Sequence, residues 1–549
     1  MYSGRTRTWT TPTTRRFGVA SAIAVVVTAA FLPGSGFGSS AAAVRGGQAH
    51  IPAALAKAIH ARLGAGTIRS SAASNTIDPD FGIAVALSAD GTTALAGAPG
   101  VAGDNGAAYI FHSSDAGSWS SSGTPTATLT KHGAFLFGLS VALSPDGTTA
   151  FVGAPLNGKS LFGAGAIYVF HVSAEDAWAS SSNPMAKLTA ASNGVFLGIA
   201  LAVSADGTTI VAGAPFLNTI AGGAYIFHAS SESAWASTST PTATLTDAAE
   251  SSDDGFAGAV VAMSADGTTV LISDAGNPDG GGAFLFHASA ENAWASSVTP
   301  TAILTDTGSG PDDFLGDALA LSADGTLALL GAPGAFSNTG AADVFHSSGA
   351  AAWTTTSTPT ATLTKSGVSP GDEFGFNLAV SNDGTNALVF APGYSSRRGA
   401  GYIFHASGEG AWASTSTPTA TLTNSGGHPK DILNVGVFSA DGATVLAGAP
   451  GVKLETGAAD VFHVADESSW ASSSTPNATL AVDKLAACVV PKLKGKKLRA
   501  AKEALAVGRC TLGKVRKVRA KTHGRVLSQS KKPGARLAIA AKVNIRVGK

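Results

Sequence analysis

Short apolar runs separated by glycine-centred turns recur along most of this chain. In the third copy the runs are 199–204, 209–214, 224–228 and 243–246, each four to six residues long and rich in aliphatic and aromatic side chains. Runs of that length, bounded by turn residues, predict strands and not helices. The first two are joined by Ala205-Asp206-Gly207, where glycine supplies the positive φ of a tight hairpin. In the second copy Pro145 favours a type I turn followed by a glycine bulge.

The spacing of these turns sets the architecture. The aspartate of a Ser-x-Asp-Gly turn recurs at Asp90, Asp146, Asp206, Asp266, Asp324, Asp383 and Asp441, at intervals of 56 to 60 residues. A histidine closes the third run of each unit, at His112, His171, His228, His287, His346, His405 and His463, and a tryptophan follows seven residues later every time. One four-stranded unit cannot hide both of its faces, but a ring of seven can. The pattern therefore predicts an all-β fold, a seven-bladed β-propeller of about 58-residue four-stranded repeats over 81–483. A linear solenoid would need polar capping units, which the sequence lacks. If the last strand of each repeat joined the next blade, 478–480 would complete blade one and latch the ring.

Composition agrees with many short strands: 44% hydrophobic residues, 13% charged, and 67 glycines in 549 positions. The zero net charge hides an asymmetry. Residues 81–483 hold 8 Lys/Arg against 33 Asp/Glu, whereas 484–549 hold 20 Lys/Arg against the single acid Glu503. Such a split bears on partners and solubility.

At the N-terminus Arg5, Arg7, Arg15 and Arg16 precede an apolar run at 17–32 and a small-residue site, Ala41-Ala42-Ala43. That layout predicts a secretory signal over 1–43 and an exported chain with no membrane attachment after cleavage. Arg15-Arg16-Phe17 raises a twin-arginine version, with general secretion preferred. An uncleaved anchor is the alternative, although 16 residues is short for a span. Within the linker 44–80, Ile51, Leu55, Ile59 and Leu63 predict a short amphipathic helix that caps the first repeat. The two cysteines, Cys488 and Cys510, lie close together in an exported chain, so a disulfide is expected, with two buried thiols as the alternative.

Phe81-Gly82 followed by Gly97-Ala98-Pro99 resembles the FG-GAP repeat of integrin α-subunit propellers and of many exported bacterial proteins, a resemblance covering about 81–483. Gly-Ala-Pro recurs at 153–155, 213–215, 331–333 and 448–450, becomes Phe390-Ala391-Pro392 in the sixth copy and is lost to Ser273-Asp274-Ala275 in the fourth. Phe-Gly recurs at Phe137-Gly138 and Phe374-Gly375, with Phe314-Leu315-Gly316 and Val435-Gly436 as degraded forms. The resemblance implies calcium loops of the form Asp-x-Asp-x-Asp-Gly. Each turn here offers one carboxylate, whereas calcium takes six to eight oxygens, so these turns read as structural and no cofactor is expected. Val490-Pro491-Lys492-Leu493-Lys494-Gly495, then Leu498, Ala501 and Leu505, then Val526-Leu527-Ser528-Gln529 and Pro533-Gly534 resemble a PASTA domain, found on penicillin-binding proteins and bacterial surface kinases. This implies a small C-terminal α+β domain over 484–549, one helix on a small sheet, and affinity for peptidoglycan fragments.

No catalytic constellation emerges. There is no Gly-x-Ser-x-Gly or His-Glu-x-x-His, and every Ser, His or Asp of the repeat has six siblings. The seven histidines read as structural, since metal binding would require them to converge. Strand direction puts the Asp-Gly turns on one face and the loops after Ala-Pro and before Phe-Gly on the other, where the copies differ and binding specificity is expected. Acids gather in the latter loops: Asp78, Asp80, Asp253, Asp254, Asp312, Asp313, Asp372 and Glu373. They form either a site for a cation or basic partner, or a solvated rim. The tail bases Lys492, Lys494, Lys496, Lys497, Arg499, Arg516, Lys517, Arg519 and Lys521 suit peptidoglycan or an anionic wall polymer, or the acidic propeller itself. Nucleic acid is a poor third choice for an exported protein whose tail lacks interleaved aromatics for stacking, and no nucleic-acid partner is expected. The sequence thus points to an exported cell-surface protein whose loops bind a protein or glycan. A secreted polysaccharide-acting enzyme and a ligand-free scaffold are the competing classes.

Overall fold

The computed structural model describes residues 80–548 apart from the segments 102–104, 158–163, 191–194, 218–221, 250–256, 278–279, 311, 427–430, 452–456, 483–487, 508–510, 520–522 and 538–541. The signal, the linker helix, Asp78, Asp253, Asp254, Lys521 and Cys510, and with it the Cys488–Cys510 pairing, lie outside the described residues.

Seven four-stranded antiparallel sheets follow one another along the chain. In the third the strands are Leu201–Val203, Thr209–Gly213, Ala224–His228 and Ala243–Leu245, close to the runs read from sequence. The first strands of adjacent blades lie side by side around the axis, so the fourth strand is outermost. Each sheet takes all four strands from one repeat. Ala478–Leu480 therefore pairs with Ala458–His463 of its own blade and does not complete blade one, which overturns the strand-exchange latch.

Instead, the ring closes with the contacts that every other joint uses. Phe81 pairs with Gly457 and Leu480 with Ser122 in parallel register, as Phe137 pairs with Gly106 and Leu129 with Ser181 at the first joint. The core is divided accordingly, with one apolar cluster at each of the seven joints. Phe137 is the wedge of the first joint, fully buried against Leu95, Ile110 and Leu129 of blade one and ring-packed on Tyr168 and Phe170 of its own blade.

The two sequence signatures are partners in this contact. A Cβ on Gly97 would collide with the carbonyl oxygen of Gly138, and one on Gly138, at φ +89°, with that of Ala107. Two main chains touch there, and only glycine lets them. Gly448 and Gly82 repeat the contact at the closing joint. In the sixth copy Phe390 replaces the first glycine, and its ring is accommodated by glycines at two neighbouring positions, Gly401 and Gly436. Gly436 pairs with Ala447 as Val85 pairs with Ala96, so it belongs to the first strand. Val435-Gly436 is therefore not a degraded Phe-Gly. Leu433 holds the phenylalanine position by pairing with Gly399, a register that sequence alone misplaced.

On the opposite face each Asp-Gly turn is held by its own repeat. Ser88 Oγ and the Thr92 amide donate to Asp90, Trp119 Nε1 donates to the Gly91 carbonyl at 2.8 Å, and Thr93 Oγ1 meets His112 Nδ1 at 2.9 Å. Partial burial pushes the Asp90 carboxyl upward, but these donors outweigh it and hold it below the usual carboxylate range. A glutamate from the next blade then clasps the turn. Glu175 accepts from Thr92 Oγ1 at 3.0 Å and from Thr93 Oγ1. Glu232 does the same to Thr148 and Thr149, Glu409 accepts from Thr326 and Glu467 from the Asn386 amide. The equivalent residues of blades one and five are Ala116 and Ala350, and there Gly91 and Gly325 sit directly against Thr444 and Thr269 of the preceding blade.

The C-terminal domain carries helix α1, Leu498–Val507, and a sheet in which Lys542–Gly548 lies between Thr511–Val518 and Val526–Gln529. Val490, Leu493, Ala501, Leu505, Val526, Val543, Ile545 and Val547 form its core, the helix face and strand periods read from sequence.

Removing one clasp should loosen one joint. Glu232→Ala is expected to lower stability by about 1–2 kcal/mol through loss of charge-assisted bonds to two threonines, seen as a lower midpoint in denaturant unfolding. Ala234→Ser, on the same short helical turn but exposed, should leave the midpoint unchanged.

Candidate functional site: the loop face of blades five to seven

On the face opposite the Asp-Gly turns, the chain after Ala-Pro makes a single left-handed turn in blades five and six. Phe336, Ser337 and Asn338 have φ of 51°, 64° and 67°, and Ser395, Ser396 and Arg397 have 51°, 62° and 69°. Left-handed geometry costs a non-glycine residue roughly 1–2 kcal/mol, so it persists only where neighbours enforce it. The enforcers are main-chain bonds to the next blade: Gly371 N donates to Asn338 O at 2.7 Å, and Ile432 and Leu433 donate to Arg397 and Arg398. The turns present Phe336, 65% exposed, and the Arg397-Arg398 pair.

The acids predicted for this face brace the same loops. Asp313 accepts the Gly310 amide at 2.9 Å through its side chain, and its carbonyl takes the Gly334 amide. Asp372 repeats both bonds with Ser369 and Gly393. Asp312 is exposed, and Asp80 and Glu373 are half-buried at φ of 46° and 57°, immediately before their Phe-Gly segments. Among the described residues no three His, Cys, Asp or Glu side chains are grouped so as to hold a metal ion. The histidines stand apart, one at the end of each third strand.

Two functional candidates escaped the sequence reading. The second or third residue of the third strand is an aromatic in blades one to four and six, at Tyr109, Tyr168, Tyr225, Phe284 and Tyr402, but Asp343 and Asp460 in blades five and seven. Both aspartates are buried. Thr362 Oγ1 donates to Asp343 at 2.8 Å, and Thr479 Oγ1 and Asn424 Nδ2 to Asp460 at 2.7 and 2.8 Å. Burial pushes the Asp343 carboxyl up to about 6 against the Thr362 bond, and the charges of Asp306 and Asp313 add to the rise. Asp460 is likewise raised by burial, with Asp431 contributing. The signal was available as a break in the repeat at an inward-facing position.

The tail bases fall into two places. Lys492, Lys494, Lys496 and Lys497 are exposed on the segment leading into α1, and Arg499 is exposed in its first turn. Arg516, Lys517 and Arg519 are exposed on or just past the edge strand Thr511–Val518. Arg516 pairs with Arg546, which alternates with buried Val543, Ile545 and Val547 and so shares the open sheet face with Lys542. Sequence reasoning passed over Arg546 and Lys542 because the strand register that aligns them is tertiary.

Residues 489–549 match the family model described as the PASTA domain. No curated protein matches the chain. Solved structures resembling it include one titled Kuenenia stuttgartiensis Hydrazine Synthase, with TM-score 0.45 and 12% identity, covering 73% of this chain and 99% of that one. Another, titled Structure of Dos1 propeller, has TM-score 0.40 and 13% identity over 70% of this chain and 81% of that one.

The raised Asp343 gives a pH test. Its folded value lies above the ordinary carboxylate value of about 3.9, so its contribution is complete below pH 4 and is lost as pH rises through about 6. Asp343→Asn, which keeps the acceptor for Thr362, should match the parent chain in melting temperature near pH 4 and exceed it at pH 7.5. The gain is on the order of 2–3 kcal/mol.

Proposed function

We propose that this is an exported binding protein of the cell surface, whose propeller presents the loop face of blades five to seven to a protein or glycan and whose C-terminal domain attaches to the cell wall. The single observation that carries the reading is the match of 489–549 to the PASTA domain together with the basic open sheet face of that domain. PASTA modules are associated with peptidoglycan, and Arg516, Arg546 and Lys542 offer it or its anionic polymers three cations on one surface. On the propeller, rigid blades beneath non-repeating, strained loops are the usual arrangement of a recognition surface. The FG-GAP-like motifs support the same assignment by their likeness to integrin propellers.

Sedimentation with purified cell-wall sacculi tests the attachment. The intact chain should pellet with sacculi, less so as salt is raised. Arg516→Glu with Arg546→Glu should reduce the bound fraction at least five-fold without changing the melting profile. Equal retention of the double variant would refute wall attachment through this face.

A further inference from the structure

The outer rim of the propeller carries a second repeated pattern. Between the tryptophan and the fourth strand, each copy runs through hydroxyl residues to a proline: Ser121-Ser122-Gly123-Thr124-Pro125-Thr126 in the first and Ser237-Thr238-Ser239-Thr240-Pro241-Thr242 in the third. Most of these hydroxyls have structural duties. Ser121 Oγ accepts the Thr479 amide of the neighbouring blade, as Ser180 accepts that of Thr128 and Ser237 that of Lys187. Ser122 Oγ closes a turn by donating to Thr124 O and accepting from Thr124 N. Thr126 Oγ1 accepts the His112 amide, and Thr242, Thr301 and Thr360 do the same in their blades.

The threonine before the proline is different. Thr124, Thr240, Thr299, Thr358, Thr417 and Thr475 occupy this position in six of the seven copies, with Asn183 in the other. All six are exposed, and among the described residues none of their hydroxyls makes a hydrogen bond. Backbone geometry does not require that hydroxyl, because the extended conformation before proline suits valine or isoleucine equally. Exposure does not select it either. The residue just before it is serine in five copies but Gly123 and Val298 in the other two, and Val298 is 59% exposed. The hydroxyls at the positions of Ser121, Ser122 and Thr126 have partners, whereas those of the six threonines are retained without any among the described residues.

We propose that these six threonines are acceptors for O-linked glycosylation, forming a belt of sugars around the propeller's outer edge. Exposed threonines beside proline in hydroxyl-rich segments are the sequence context in which such sugars are carried. The reaction is a transfer from a phosphate-activated sugar, nucleotide- or polyprenyl-linked. The threonine Oγ1 forms the new bond to the anomeric carbon, the phosphate leaves with the bonding pair, and the hydroxyl proton passes to a base of the transferase. Sugars on Thr358 and Thr417 would cover the hydroxyl-rich clefts beside His346 and His405, of about 290 and 310 Å³.

Peptide mass mapping of the full chain, purified from the organism that encodes it, tests the proposal. Peptides holding Thr124, Thr240, Thr299, Thr358, Thr417 and Thr475 should carry mass increments of whole sugar residues, and the matching peptide with Asn183 should be bare. Replacing all six by valine keeps the β-branch and should remove the increments while the melting temperature stays unchanged. Unmodified masses at all six positions would overturn the proposal, as would sugar persisting in the sixfold variant or a phosphoryl increment in place of sugar. Because the readout is mass, it is separable from wall attachment.

Discussion

Two main chains touching at each blade joint is the constraint on which this molecule depends. Where Gly97 meets Gly138, no side chain fits, and the close approach lets Phe137 reach the apolar cluster between blades. The core of the propeller is therefore not central but distributed in seven wedges, each formed by two consecutive repeats. A repeat alone has half of two cores, so stability arises from neighbour contacts and is completed only when blade seven meets blade one. That closure uses the standard joint, Phe81 on Gly457 and Gly448 on Gly82, with no exchanged strand.

The Asp-Gly face shows how a repeat spends its polar residues. Aspartate, serine and threonine satisfy the turn, histidine caps the second strand through threonine, and tryptophan fastens the turn carbonyl. Glutamate then joins blades. Successive turns are also linked through their backbones, Ala205 to Ala265 and Ala265 to Ala323, and Ala440 to Ala89 across the closure. Pro145 accepts from Ala89 but, lacking an N–H, cannot pass the chain of bonds onward. A face so fully committed to its own hydrogen bonds has little left to offer a ligand, whereas the opposite face holds buried acids in blades five and seven, left-handed turns in blades five and six and an exposed phenylalanine in blade five.

Much of this was legible in the sequence. Periodicity of the Asp-Gly turns, the histidines and the tryptophans gave blade number and strand limits, because each is a local turn or strand-end device repeated at constant spacing. The loop acids could be assigned to one face from strand direction alone. Asp343 and Asp460 were missed because their importance is a matter of burial, and a lone aspartate between Ala and Val reads as an ordinary strand residue until its surroundings are known. The Val435-Gly436 misplacement has a similar cause: the seventh copy is short by one residue there, and only pairing with Ala447 fixes the register.

By itself the sequence determined the repeat, the strands, the turn chemistry and the charge division between propeller and tail, since these follow from patterns local to one unit. Tertiary structure decided what those units do to one another. It decided that each blade keeps its own four strands, that Phe390 is matched by Gly401 and Gly436 at nearby positions, and that Arg516 lies beside Arg546. It also separated hydroxyls that hold the rim together from the threonine hydroxyls before proline, which do not. The physical reason is common to all of these: a contact between residues far apart in the chain depends on register and close approach, which no local pattern encodes.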